Sequence, residues 1–127
     1  MARKAAAGAG GTEAGPPQPI HRVKADFFRV LGHPARVRIL ELLREGEQSV
    51  GDLQAALEID SSGTSQHLGA LRKQGILESR REGTSVFYRV KDRRTFQLLE
   101  VAREILSGHF EETQSILDDL AGPRGPN

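Results

Sequence analysis

The sequence predicts a mainly helical α+β domain carrying one β-hairpin. Three observations predict it. Apolar residues recur at three- and four-residue spacing along most of the chain. That period switches to strict alternation over one stretch, "ILESRREGTSVFYRV". Glycine or proline then stands at several of the places where one element ends and the next begins, at Gly32, Pro34, Gly46, Gly75 and Gly83.

A chain of 127 residues suits one domain with tails and is long enough to bury a core. Residues 1–19 are rich in Ala, Gly and Pro and are expected to form a disordered tail. Residues 20–120 are expected to form the domain, and 121–127 a short tail of the same kind as the first. The N-terminal segment has basic residues but no Leu/Val-type apolar run, so it does not read as a signal peptide. No apolar run approaches the roughly 18 residues of a membrane span. A cytoplasmic protein is the expectation.

"VKADFFRVLG" predicts a first helix, with Phe27, Phe28 and Leu31 on one side and Gly32 as its stop. In "HPARVRILELLREG", Pro34 suits a first helical turn, and Val37, Ile39, Leu40, Leu42 and Leu43 form a broad apolar face. His33 is expected as a loop or cap residue. "SVGDLQAALEI" opens on a candidate cap, Ser49, with Asp52 three residues on. Val50, Leu53, Ala56 and Leu57 share one face of that helix.

"SSGTSQHLGALRKQG" predicts a fourth helix, polar and small in its first half, anchored late by Leu68, Ala70 and Leu71, and stopped by Gly75. The alternating stretch predicts a two-stranded hairpin with a Glu82–Gly83 turn and a basic tip. The last block, Arg93 to Leu120, is helical, and Gly108 leaves open whether it is broken there. Its long apolar stripe exceeds what one small core needs and suggests a subunit interface.

Net charge is +1, but charge is not evenly spread. From Asp60 to Arg94 there are eight Lys or Arg against four acids; from Thr95 to Ala121, one base against six acids. A polyanion would meet the middle of the chain. There, two short helices joined by a polar turn make a helix-turn-helix. Its second helix lies in the DNA major groove, with exposed N-terminal residues toward base edges. Gln66 suits adenine N6/N7. Small hydroxyl residues allow close approach to phosphate, and a helix N-terminus attracts it. The basic hairpin would act as a wing.

"LGHPARVRILELL", "SVGDLQAAL", "SSGTSQHLGALRKQGIL" and "SRREGTSVFYRV" resemble the ArsR/SmtB family of winged helix-turn-helix repressors. The likeness covers about residues 24–106 and is greatest to actinobacterial members lacking the usual metal sites. It implies a homodimer that binds double-stranded DNA at an inverted-repeat operator near its own promoter. It also implies that Ser61, Ser62, Thr64, Ser65, Gln66 and His67 face DNA, supported by Arg72 and Lys73, with Arg80, Arg81 and Thr84 of the wing on the backbone. The dimer implied runs through the first and last helices: Phe27, Phe28, Leu31, Leu99, Ala102, Leu106 and Phe110.

The sensor positions depart from the family. Ser49, Val50 and Gly51 stand where a cysteine pair would be sought, and the chain has no cysteine at all. On the last helix, Arg94, Ile105 and Gly108 stand near the family's histidine positions, and His109 is one residue away. No metal and no cofactor are expected, and the effector is not legible. A non-metal organic effector remains open, as does a protein-interaction module built on the same fold.

An enzyme is not expected. Ser62 or Ser65 with His67 lacks an orienting carboxylate, and positions two apart on a helix do not face each other. His21 and His109 are lone histidines expected at the surface. No strand-turn-helix Gly-x-Ser-x-Gly motif exists.

Overall fold

A computed structural model describes residues 18–122. Five helices and three short strands follow in the order α1 (Ile20–Leu31), α2 (Pro34–Leu42), β1 (Gln48–Ser49), α3 (Val50–Leu57), α4 (Ser61–Lys73), β2 (Leu77–Glu82), β3 (Ser85–Val90) and α5 (Arg94–Ala121). Most of both expected tails, 1–17 and 123–127, lies outside the described residues. Ala121, expected in the second tail, closes α5 instead.

The caps explain the boundaries. His33 starts α2 by accepting a hydrogen bond at Nδ1 from the Ala35 amide at 3.1 Å, with Pro34 in the first turn. Ser49 Oγ accepts from the Asp52 amide at 3.0 Å and starts α3. Asp60 accepts from the Gly63 amide and starts α4. A Cβ added at Gly63 would lie 2.8 Å from an Asp60 carboxylate oxygen, so a larger residue there would have to shift the capping side chain.

The core gathers one stripe from each helix. Ile39 and Leu40 of α2, Leu53 of α3, and Leu68 and Leu71 of α4 meet Leu43, Ile76, Leu77, Val90 and Phe96. Val30 and Leu31 close it from α1. Leu31 therefore belongs to the protomer's own core: it is buried without any partner, so its expected place in a subunit interface is corrected. It lies four residues after half-buried Phe27, which places both on the inner face of α1.

The sheet has three strands rather than the expected two. Its order is β1-β3-β2, all antiparallel. Two residues of β1 pair with β3, Gln48 opposite Tyr88 and Ser49 opposite Phe87. A two-residue strand has no periodicity, and Ser49 also announces a helix, which masks it. Glu82 pairs with Ser85, so the hairpin turn is Gly83–Thr84, one residue later than expected, with Gly83 at φ +63°.

α5 runs unbroken through Gly108 for 28 residues, about 42 Å at 1.5 Å per residue. Thr95 and Phe96 at its start are buried; beyond Glu100 every residue of the helix is exposed.

The turn between α3 and α4 holds the one non-glycine residue at positive φ among the described residues, Glu58 (φ 56°, ψ 36°). Its amide still closes α3 by donating to the Gln54 carbonyl. Gln54 Nε2 in turn donates to the Ile59 carbonyl across the turn. A left-handed residue is favoured there as glycine. Glu58→Gly is expected to raise unfolding stability by about 1 kcal/mol, measured by urea denaturation; a loss of stability would show that the Glu58 side chain contributes to the turn.

Candidate nucleic-acid interface

α4 divides into two stripes. Thr64, Leu68 and Leu71, spaced by four and three residues, point into the core and are at most 1% exposed. On the other side, Ser61, Ser62, Ser65, Gln66, Gly69, Arg72 and Lys73 are exposed. Thr64 is thus corrected from a DNA-facing residue to an anchor. Its hydroxyl donates to the Asp60 carbonyl at 3.2 Å, inside the first turn, and it has no surface to offer a groove.

Gly69 is the residue the sequence argument passed over. It sits mid-stripe between Gln66 and Arg72, with nothing within 4 Å of where a Cβ would be. Its signal was in the spacing, since Ser62, Ser65 or Gln66, Gly69 and Arg72 follow one another at three to four residues.

The N-terminus of α4 is already occupied by charge. Ser62 Oγ donates to the Asp60 carboxylate, and the Gly63 amide donates to it as well. These two bonds hold Asp60 below its ordinary pKa. A fixed carboxylate at that end offsets the helix's attraction for phosphate. The positive end of α4 is the other one, at Arg72 and Lys73.

His67 is only half-exposed and faces inward rather than along the outer stripe. Its Nδ1 accepts from Arg36 Nε at 3.1 Å, and its ring lies 4.3 Å from that of His33. Arg36 also donates to the Val30 carbonyl at 3.1 Å. This cluster ties α4 to the ends of α1 and α2. Burial, then the charges of His33 and Arg36, push the His67 pKa below its usual value.

The cations sort into two groups. Arg80 donates to both Glu47 oxygens, at 2.8 and 2.7 Å, and to Glu82 at 2.6 Å. Arg89 pairs with Glu78 at 2.6 Å. Arg94 grips Asp92 at 2.6 Å and lowers that carboxyl to about pKa 2. Arg93 lies over the Phe96 ring and reaches the Arg44 carbonyl at 3.4 Å. Arg72, Lys73 and Arg81, by contrast, form no ion pair among the described residues. Alternation along β2 puts Arg81 on the same face as Leu77, the core side that packs on α4. Arg80 lies on the opposite face with Phe87. Thr84 is exposed at the wing tip.

Phe28, Ala102, Leu106 and Phe110 are exposed, while Phe27 and Leu99 are half-buried against the core. Among the described residues no group of three His, Cys, Asp or Glu side chains is placed to hold a metal ion.

Comparison with known proteins decides the family. Residues 33–79 match the model for "Bacterial regulatory protein, arsR family". The Mycobacterium tuberculosis protein Rv0081, named as an uncharacterised HTH-type transcriptional regulator, is 41% identical over 104 residues, 81% of this chain and 91% of that protein. The chain belongs to the arsR family of bacterial regulatory proteins.

The crystal structure of Rv0081 superposes with a TM-score of 0.71 over 76% of this arsR-family chain and 98% of its own. A Mycobacterium bovis domain, described as a homodimeric winged helix-turn-helix DNA-binding domain, is 29% identical. It superposes with a TM-score of 0.66 over 73% of this chain and 86% of that one. The biofilm growth-associated repressor of Agrobacterium fabrum is 42% identical over 76 residues, 60% of this chain and 65% of that protein. This arsR-family chain is a winged helix-turn-helix transcriptional regulator, and its relatives point to no enzyme family.

The His67 cluster has a pH signature. A histidine with a lowered folded-state pKa binds its proton more readily when unfolded, so its stabilisation is full above the ordinary pKa of 6.5 and is lost as pH falls toward the folded value. Unfolding stability is expected to fall between pH 7 and pH 5, with a shallower fall in His67→Gln. Denaturation across that range checks it; equal slopes would remove His67 from the linkage.

Proposed function

We propose that this protein is a homodimeric cytoplasmic repressor that reads an inverted-repeat operator with α4 and grips the flanking backbone with its wing. The observation that carries this reading is the outer stripe of α4. It runs from Ser62 through Ser65, Gln66 and Gly69 to the unpaired cations Arg72 and Lys73, and no carboxylate lies between Ser61 and Lys73. Gln66 is exposed and suits adenine. Ser61, Ser62 and Ser65 supply short hydroxyls, and Gly69 leaves the backbone bare where a sugar-phosphate edge would pass. Arg72, Lys73 and Arg81 supply phosphate contacts, hence most of the affinity and its salt dependence. Thr84 adds a hydroxyl at the wing tip.

Two copies would present two α4 helices about 34 Å apart, one turn of DNA. The exposed apolar side chains suit such pairing. Phe28 on α1 and Leu106 and Phe110 on α5 are 54%, 62% and 76% exposed, and with the other exposed apolar residues of α5 they offer apolar surface that a partner can cover. Phe27, Leu99 and Ala102 flank them. Phe110→Glu is expected to shift the protein from dimer to monomer in sedimentation at micromolar concentration; an unchanged dimer would place the interface elsewhere.

A shift assay with DNA from upstream of the protein's own gene, against random DNA at two salt concentrations, tests the whole reading. Specific, competitor-resistant binding supports it, and absence of binding to either DNA at low salt overturns it. Gln66→Ala is expected to cost about 1–3 kcal/mol, concentrated at one base position. Arg81→Ala is expected to weaken binding evenly across sequences and flatten the salt slope by about one. Uniform loss in the first, or an unchanged slope in the second, would strip that residue of its role.

A further inference from the structure

The Arg80 guanidinium, expected to touch DNA, spans the sheet instead. β2 and β1 are opposite edges, with β3 between them. Arg80 starts on β2, crosses the Phe87 ring of β3 at 4.6 Å, and ends in two hydrogen bonds to Glu47, the residue just before β1. A third bond goes to Glu82 beside the hairpin turn. The anchor at the far end is firm. Gln48 Nε2 donates to the Leu42 carbonyl at 2.6 Å, and Leu43 is buried.

Single exposed ion pairs stabilise little, but a bidentate arginine inside a network is the recognised exception. The Glu47 side chain is 28% exposed, the least of any carboxylate paired in this protein's described residues. Its pairing with Arg80 holds it below its ordinary pKa and raises that of Arg80.

We propose that Glu47 is a positioning residue for the wing. It fixes the hairpin's angle through Arg80, so that Arg81, on the opposite face, meets the backbone beside α4. Arg80 is then a brace and not a phosphate contact. This inference rests on the DNA-binding reading above, because its effect on function is an effect on that binding. The brace makes an unusual electrostatic prediction. Removing an acid near a DNA-binding surface normally strengthens binding. Here it should weaken it, because an unbraced wing must be ordered at the moment of binding.

The test uses the full-length chain and three variants, Glu47→Gln, Arg80→Lys and the double variant. Affinity for DNA upstream of the gene is measured over a salt series, and amide exchange of β2 and β3 is measured without DNA. The expected result has four parts. Each single variant binds about fivefold or more weakly. The salt slope is unchanged, exchange in the free wing quickens, and the double variant is no worse than either single one. Arg80→Lys separates the roles, since lysine keeps the charge for a phosphate but loses the two-pronged grip on Glu47. Arg80→Lys with wild-type affinity, or Glu47→Gln with tighter binding and a slope steeper by about one, would overturn the brace and return Arg80 to the DNA. Should the unaltered protein bind no DNA, the DNA-binding reading fails separately. Wing exchange then decides the brace alone: quickened exchange in both single variants upholds it, and unchanged exchange overturns it.

Discussion

The exposed stripe of the helix-turn-helix depends on how α4 is seated. Thr64, Leu68 and Leu71 lock one side of the helix into a core shared with α2, α3 and the base of the hairpin. A helix held along one stripe has no freedom to rotate about its axis without exposing those side chains. Each leucine is worth about 1.5–3 kcal/mol of burial. The buried stripe therefore sets the azimuth of Ser65, Gln66, Gly69 and Arg72 as firmly as if they were packed themselves. The Asp60 cap at the helix start and the His67–Arg36 hydrogen bond at its middle add hold. The small polar residues lie in the first half of the helix, and the cations without an ion pair among the described residues lie at its end and on the wing.

The sheet distributes charge in a comparable way. Its core-side face carries Leu77, Tyr88 and Val90 toward the helices, and Arg81 follows them at the rim. Its outer face carries Glu78, Arg80, Phe87 and Arg89, whose charges are neutralised within the sheet or by Glu47. Of the cations that made the middle of the chain look basic, only part is available to a partner. Net charge over a segment counts every arginine alike, whereas a polyanion meets those without a carboxylate at hand.

Where a signal was local, the sequence carried it. His33, Ser49 and Gly75 mark element ends by chemistry that acts within three residues, and each stands where that chemistry placed it. Gln66 and Leu68 fell on opposite sides of α4 because the helical period separates them. The misplaced residues were those decided by which side of an element packs inward or by a partner on another strand. Thr64 looks like its serine neighbours until Leu68 and Leu71 fix the inner stripe. Leu31 looks like an interface residue until Val30 and the α2 leucines surround it. Arg80 looks like Arg81 until Glu47, thirty-three residues earlier, is brought across the sheet. β1 is two residues long and exists only because β3 is beside it. No short window of sequence contains the Arg80–Glu47 or β1–β3 pairings.

The length of α5 has a consequence for how the free chain breathes. Its first turn is rooted by Phe96, against which Arg44 and Arg93 lie, but Val101, Ile105, Leu106, Phe110, Ile116, Leu117 and Leu120 are exposed among the described residues. Past Glu100 the helix is held by its own backbone ladder and side-chain pairs such as Gln114 with Asp118. An isolated helix of that size is marginal in water. The cost of opening must therefore fall steadily from Phe96 toward Ala121, giving one helix a graded rather than uniform resistance to melting. Whatever covers the far turns removes that gradient. α5 is then a segment whose resistance to opening at the tip depends on what covers it, while its root is held by the protomer's own core.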